Sequence, residues 1–174
     1  MRKACLLALL AAILAGSVGM IAHREIMLAQ GVEAFLPLAP RDPRALMTGD
    51  YMALDYRVNR DIAQALRKDA ASRTHPRRAV LRLVAGETPG GEAIPNLLVF
   101  VRLDDGSPLE DGELFLAFRT REHLVISASP AFHFQEGRGG AYERARYGRL
   151  RLSPSGASLL EALCDAEGRD IRPE

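Results

Sequence analysis

The residue types that ligate metals or act as nucleophiles are few in this chain and stand far apart. The sequence contains two cysteines and four histidines, and the histidines are His23, His75, His123 and His133. Metal sites combine such residues in closely spaced pairs. No such pair occurs here, so we expect neither a metal ion nor a cofactor.

A serine nucleophile activated by a lysine is the one catalytic arrangement that we weigh. The only lysines are Lys3 and Lys68, and Lys3 precedes an apolar segment that would separate it from the rest of the chain. Nucleophile and base must lie within hydrogen-bonding reach of each other, and no serine motif accompanies Lys68. We therefore expect no catalytic residues, and a hydrolase is the weakest of our hypotheses.

Polar and aromatic residues cluster instead in TGDYMALDYRV, residues 48–58. Side chains alternate between the two faces of a strand. Leu54 and Tyr56 therefore share a face that we expect to enter the core, whereas Tyr51 points to the other side.

The start of this segment has two interpretations. Gly49 suits a tight backbone turn, and Asp50 can accept backbone N–H groups of the preceding residues, which would fix the register of the strand. The alternative is a polar patch that contacts a ligand or a partner protein, formed by Asp42, Arg44, Asp50 and Tyr51.

A second polar feature is the glycine-rich turn that follows the strand in FHFQEG. Glu136 and Gly137 lie in this turn, and we expect Glu136 to form a surface ion pair with Arg144 or Arg146. If the turn lies at the same sheet edge as the polar patch, the two features line one groove.

The first part of the chain is apolar enough to cross a membrane. Residues 4–22 carry no charge, and as a helix they would span about 28 Å, close to the ~30 Å hydrocarbon core of a bilayer. Arg2 and Lys3 precede this segment, whereas the charges behind it nearly cancel. The positive-inside rule then predicts a single-pass inner-membrane anchor with its N-terminus in the cytoplasm and the domain in the periplasm or outside.

A cleaved signal peptide is the main alternative to this anchor. Ser17, Val18 and Gly19 offer the small residues that a signal peptidase accepts. The apolar length and the lack of an A-x-A site at the end of the segment favour the anchor. A buried core helix is the third interpretation, and the basic flank argues against it.

Length and charge limit the body of the protein to one domain without nucleic-acid binding. With 48% hydrophobic residues in 174, the chain can bury one core. The first 24 residues carry a formal charge of +3, which leaves −2 for the remainder. A slightly acidic body lacks the clustered positive charge that phosphates need.

The remainder has the pattern of short strands separated by turns. The expected strands are 32–38, 78–85, 96–103, 112–119, 122–128, 131–135, 147–152 and 157–163, with helices at 59–72 and 140–147. The last of these strands could also be a helix, because Leu159, Leu160 and Leu163 fit the helical period as well. The pattern predicts a mainly β or α+β domain, an antiparallel sandwich or a partly open barrel with one or two short helices. We divide the chain into an anchor (1–24), a short connecting helix (25–31) and the β-rich domain (32–174).

The bacterial GDYXXLXY family has an eight-residue signature, which GDYMALDY at 49–56 resembles. The five fixed positions are occupied by Gly49, Asp50, Tyr51, Leu54 and Tyr56. Flanking blocks extend the resemblance from about Glu25 to the end of the chain. It implies a small membrane-anchored protein without assigned activity, often encoded beside polytopic membrane proteins. One departure is an additional proline, Pro37, which would interrupt the first strand.

These observations lead to two main hypotheses. The first is a membrane-anchored accessory domain that binds a polytopic membrane protein and has no catalysis of its own. The second is a domain that binds a small molecule of the cell envelope. In both, the bilayer contacts the protein through residues 4–22.

Overall fold

The structure is a computed structural model that describes residues 2–39, 51–68, 77–87, 91, 93–122 and 124–172. Four of the candidate residues lie outside the described ranges, namely Asp42, Arg44, Gly49 and Asp50. We call residues 48–58 the GDY segment. The expectation that Gly49 and Asp50 fix the register of its strand therefore stays a prediction.

The described part of the chain folds into three helices and ten strands. In chain order they are α1 (Arg2–Gln30), β1 (Val32–Pro37), β2 (Tyr51–Ala53), α2 (Arg57–Lys68), β3 (Arg78–Glu87), β4 (Ala93–Leu103), β5 (Glu113–Ala117), β6 (Arg119–Arg121), β7 (Leu124–Ile126), β8 (Ala131–His133), α3 (Gly139–Tyr142), β9 (Tyr147–Leu152) and β10 (Ser158–Cys164).

The N-terminal helix α1 contains a segment that is long and apolar enough to cross a membrane. Its residues Leu9–Gln30 have a mean hydropathy of 1.4, and the side chains of this segment are almost all exposed. A membrane span and a signal sequence both have these properties. The predicted connecting helix is the last part of α1, because the helix continues without a break to Gln30.

Six strands form one mixed sheet in the order β10-β9-β1-β4-β3-β5. Four of its five pairs are antiparallel, and β1 and β4 are parallel, with Phe35 opposite Leu97. The pairs β2-β8 and β6-β7 form two small ribbons beside it. The mainly β class is confirmed, and among the described strands the sheet does not close into a barrel. The parallel pair arises because β1 and β4 are separated by α2 and β3, a connection long enough for a crossover.

The proline at position 37 does not disrupt the first strand. Pro37 is the last residue of β1 and lies opposite Tyr147 of β9. The chain then continues through Leu38, whose N–H donates to the carbonyl of Arg146 at 2.8 Å. Proline lacks the N–H that a central strand would use, and its place at the strand end makes this loss tolerable.

One face of the sheet carries the main core. Ala34 and Leu36 of β1, Leu81 of β3 and Leu150 of β9 are fully buried there. Helix α2 packs over β4 and β1, and its Ile62 is fully buried. The opposite face carries a smaller buried cluster of Phe35, Ile94 and Cys164. Beside it, long polar side chains form ion pairs such as Arg151 to Glu33 at 3.0 Å and Arg82 to Glu113 at 2.9 Å.

The two edges of the sheet approach each other at Gly156, in the turn between β9 and β10. The N–H of Ala117 in β5 donates to the carbonyl of Gly156 at 2.7 Å. Because β10 and β5 are the opposite edges, this hydrogen bond shows that the sheet curls enough for its two edges to meet at Gly156. Gly156 has φ +89°, and a Cβ there would lie 2.9 Å from the Cβ of Phe115.

Replacing Gly156 by alanine should destabilise the domain by about 2 to 4 kcal/mol, because a left-handed backbone strain and a steric overlap coincide there. The matched control is Gly106→Ala, since Gly106 has φ +86° but no atom within 4 Å of its added Cβ. The control should cost only about 1 to 2 kcal/mol. Urea unfolding of the full chain in mild detergent, followed by far-UV circular dichroism, measures both. Equal losses would mean that the overlap with Phe115 adds no cost to the backbone strain that both positions share.

Candidate functional site

The GDY segment divides into an exposed start and a buried end. Tyr51, Met52 and Ala53 form β2, which pairs with β8 so that Tyr51 lies opposite His133. The ring centroids of Tyr51 and His133 are 5.7 Å apart, and Tyr51 is 39% exposed. Met52 points inward and is buried. The predicted alternation is thus confirmed for these residues, although β2 itself ends at Ala53.

Tyr56 is the anchor point of the segment. Its side chain is almost fully buried, and its hydroxyl donates to the carbonyl of Ser129 at 3.1 Å. A Cβ at Gly148 in β9 would lie 3.2 Å from the ring of Tyr56, so the ring packs directly on the backbone of β9. Leu54 is buried beside it, and its N–H donates to the carbonyl of Pro130 at 2.8 Å.

A short polar chain links the segment to the start of helix α2. The hydroxyl of Ser127 donates to Oδ1 of Asn59 at 2.6 Å, and the amide of Asn59 reaches Asp55 at 3.4 Å. Asp55 also lies 3.5 Å from Arg60. Ser127 is buried, so this hydrogen bond satisfies a polar group that would otherwise be costly inside the protein.

Two clefts flank the segment Ser127–Pro130. The larger, of about 700 Å³, lies between Arg24 of α1 and this segment. Its lining also includes the polar residues Arg119, His133 and Ser158. The smaller, of about 250 Å³, lies against Leu54, Asp55, Tyr56 and Asn59. Three residues line both clefts, namely Ile126, Ala128 and Pro130.

The hydroxyls in the larger cleft have partners that are not bases. Ser127 donates to Asn59, Ser129 to the carbonyl of Ala131 at 2.7 Å, and Ser158 to the carbonyl of Ser127 at 3.3 Å. An amide oxygen or a carbonyl cannot take the proton of an attacking hydroxyl. None of these three hydroxyls is therefore activated as a nucleophile by its hydrogen-bond partner.

The thiol of Cys164 is also unsuited to nucleophilic chemistry. It is buried, and burial together with the hydrogen bond to Asp170 raises its pKa to about 12. The reactive form of cysteine is the thiolate. Cys164 is therefore held as a neutral group between the sheet and the C-terminal residues.

The turn at Glu136 and Gly137 is present, but the expected ion pair of Glu136 is not. Gly137 has φ +80°, which explains the glycine. Within the part of the chain that the structure describes, Glu136 forms no ion pair with Arg144 or Arg146. Arg146 instead donates to the carbonyl of its neighbour Ala145 at 2.8 Å, so the expectation of an ion pair is wrong.

The expected groove between the two polar features stays a prediction, because Asp42, Arg44 and Asp50 lie outside the described residues. Tyr142, which follows the turn at Gly137, cannot line such a groove, because it is buried and its ring centroid lies 5.1 and 5.2 Å from those of Phe132 and Phe134. The exposed members of this rim are Tyr51, His133 and Glu136.

The comparison with protein families decides the relationship that the signature suggested. A family model described as GDYXXLXY protein matches residues 13–163. The chain belongs to this family. The match begins inside α1 and ends in β10, so the GDYXXLXY unit includes part of the apolar helix. Searches of curated proteins and of solved structures found no match.

The residues of the GDYXXLXY signature lie in two different environments. Leu54 and Tyr56 hold the segment in the core, whereas Tyr51 lies at the surface beside His133. Sequence reasoning considered His133 only as a metal ligand, and it missed both the pairing of His133 with Tyr51 and the hydrogen bond of Ser127 with Asn59. The alternation in AFHFQ could have shown that His133 faces outward, but that hydrogen bond joins residues 68 positions apart and leaves no local signal.

The two parts of the signature should respond differently to truncation. Tyr56→Ala should cost about 3 to 5 kcal/mol and Leu54→Ala about 2 to 5 kcal/mol, because each leaves a cavity in the core. Tyr51→Ala, the matched control, should cost less than about 1 kcal/mol. Urea unfolding in mild detergent measures all three. A loss for Tyr51→Ala as large as for Tyr56→Ala would assign the whole signature to folding.

The stability of the domain should depend on Tyr56 at alkaline pH. Desolvation by burial raises its pKa above the ordinary value of about 10. The stabilisation is therefore complete below pH 10 and is lost as the pH rises, because only the unfolded tyrosine ionises. Between pH 8 and 11, wild type should lose about 1.4 kcal/mol more than Tyr56→Phe. Parallel unfolding curves at the two pH values test this, and an equal loss in both proteins would contradict it.

Proposed function

We propose that this protein is a single-pass, inner-membrane-anchored accessory domain that binds a polytopic membrane protein on the periplasmic or outer side. The helix α1 serves as the anchor with its N-terminus in the cytoplasm, and the domain has no catalysis of its own. The observation that carries the proposal is the short, fixed junction between α1 and the sheet.

The junction consists of one residue, Gly31. Its N–H donates to the carbonyl of Met27 at 2.9 Å, and its carbonyl accepts from Arg151 of β9 at 3.4 Å. A Cβ at Gly31 would overlap the carbonyl oxygen of Met27 and approach Arg151. Met27 is itself buried although it belongs to α1. Such a junction would hold the domain against the bilayer, at the height where loops of a polytopic protein emerge.

The exposed rim beside the signature is the proposed contact with the partner. Tyr51 and His133 present an aromatic pair on the short ribbon β2-β8, outside the core. Tyrosine is enriched in protein interfaces because it offers apolar area and a hydroxyl at low entropic cost. A contact role would explain why the signature has an aromatic residue at a position where burial does not require one.

A second candidate function is the binding of a small molecule of the cell envelope in the larger cleft. The observation that favours it is the volume of about 700 Å³, within the range of ligand sites, together with two arginines at its wall. Thermal-shift screening of the full chain in detergent separates the two candidates. A ligand at 100 times its dissociation constant adds about 2.7 kcal/mol of stability.

Site-specific photo-crosslinking in native membranes tests the proposal. A photoreactive phenylalanine analogue at Tyr51 should capture a discrete polytopic protein, whereas the same analogue at Val99, which is exposed on the opposite face of the sheet, should not. Tyr51→Ala should reduce co-purification of that protein at least tenfold. Capture from both positions, or from neither, would reject the rim as the contact surface.

A further inference from the structure

The β6-β7 hairpin presents a basic and apolar face next to the end of the anchor. Arg119 pairs with Ile126 and Arg121 with Leu124 across the hairpin, so these four side chains share one face. Val125 points the other way and is buried in the core. Leu124 is 68% exposed, more than any other large apolar side chain in the described residues.

Part of this face lies beside the residue of α1 at which its apolar part ends. Arg24 lines the larger cleft together with Arg119 and Ile126. Arg24 follows the apolar segment by two positions and is about 10 Å along the helix from Gly31, at 1.5 Å per residue. If α1 spans the bilayer, the cleft and the hairpin therefore reach the level of the lipid headgroups.

The positive charge of the β6-β7 hairpin face and Arg24 favours an anionic binding partner. Arg24 and Arg119 line the larger cleft, and no acidic side chain is among its lining residues in the described chain. Leu124 lines the smaller cleft, where the carboxylate of Asp55 is paired with Arg60 at 3.5 Å. Arg121 is partly offset by Glu122, whose carboxylate lies 3.8 Å away. An exposed leucine beside arginines is typical of surfaces that place apolar groups into the headgroup region while the guanidinium groups bind phosphates.

We propose that the β6-β7 hairpin face and Arg24 dock on the headgroups of anionic phospholipids in the leaflet that α1 enters. This docking rests on the anchoring part of the proposed function, and it adds a second membrane contact that fixes the orientation of the domain.

Tryptophan fluorescence provides a direct test, because the chain has no tryptophan. Three single-tryptophan variants of the full chain are reconstituted into vesicles, namely Leu124→Trp, Val99→Trp on the opposite face and Leu14→Trp in α1. The vesicles contain phosphatidylcholine with or without phosphatidylglycerol and carry a nitroxide on the headgroup or deep in the acyl chain. All three positions are exposed, and circular dichroism confirms that each variant folds.

The expected result is that the headgroup nitroxide quenches Leu124→Trp in vesicles with phosphatidylglycerol, while Val99→Trp stays unquenched. Quenching should weaken at 1 M salt, where the screening length falls to about 3 Å. Adding Arg119→Gln and Arg121→Gln should lower the ratio of docked to undocked domains about 30-fold, which corresponds to about 2 kcal/mol for two charges. The control pair, Arg144→Gln with Arg172→Gln, removes the same charge from other exposed positions and should leave quenching unchanged.

The probe in α1 separates the two proposals. If the deep nitroxide quenches Leu14→Trp but Leu124→Trp is unquenched in every vesicle, the anchor stands and lipid docking is wrong; the hairpin face is then available to a protein. If Leu14→Trp is unquenched as well, both the anchor and the docking are wrong. Equal quenching of Leu124→Trp in neutral and anionic vesicles would overturn the role of the arginines.

Discussion

The packing of the Tyr56 ring on the backbone of β9 connects the parts of this fold that are distant in sequence. Gly148 leaves room for the ring, and the tyrosine hydroxyl reaches the carbonyl of Ser129. The residues before Tyr56 form β2, and those after it begin α2, so one side chain sets the position of a ribbon and a helix against the sheet. A buried hydroxyl without an acceptor would be costly, which makes the Ser129 segment part of the same unit.

The same contact places the candidate surfaces. Because Ser129 is fixed by Tyr56, the segment Ser127–Pro130 separates the two clefts and leads into β8, where His133 meets Tyr51. Burial at one end of the signature thus holds its other end at the surface. This is a physical reason for joining a core residue and an exposed aromatic residue within six positions.

Much of the fold could be predicted from the sequence, because the decisive signals are local. Alternation marked β1, β3, β4, β5, β9 and β10, and the period of α2 marked a helix within a few residues of its bounds. The strand order and the parallel pairing of β1 with β4 could not be predicted, since neighbours in the sheet are chosen by the packing of whole strands. The ion pair expected for Glu136 failed for a related reason: proximity in sequence to Arg144 and Arg146 does not set the direction of side chains around a turn.

The junction at Gly31 links the direction of helix α1 to the orientation of the sheet. A flexible linker would leave the domain free to move away from the bilayer, and the location of surface residues relative to the membrane would then have no meaning. Here one residue joins α1 to β1, and its hydrogen bonds to Met27 and from Arg151 use both of its backbone groups. The orientation of the sheet is therefore set by the direction of the helix. In a bilayer, the helix would impose one orientation on the cleft, the hairpin and the aromatic rim together.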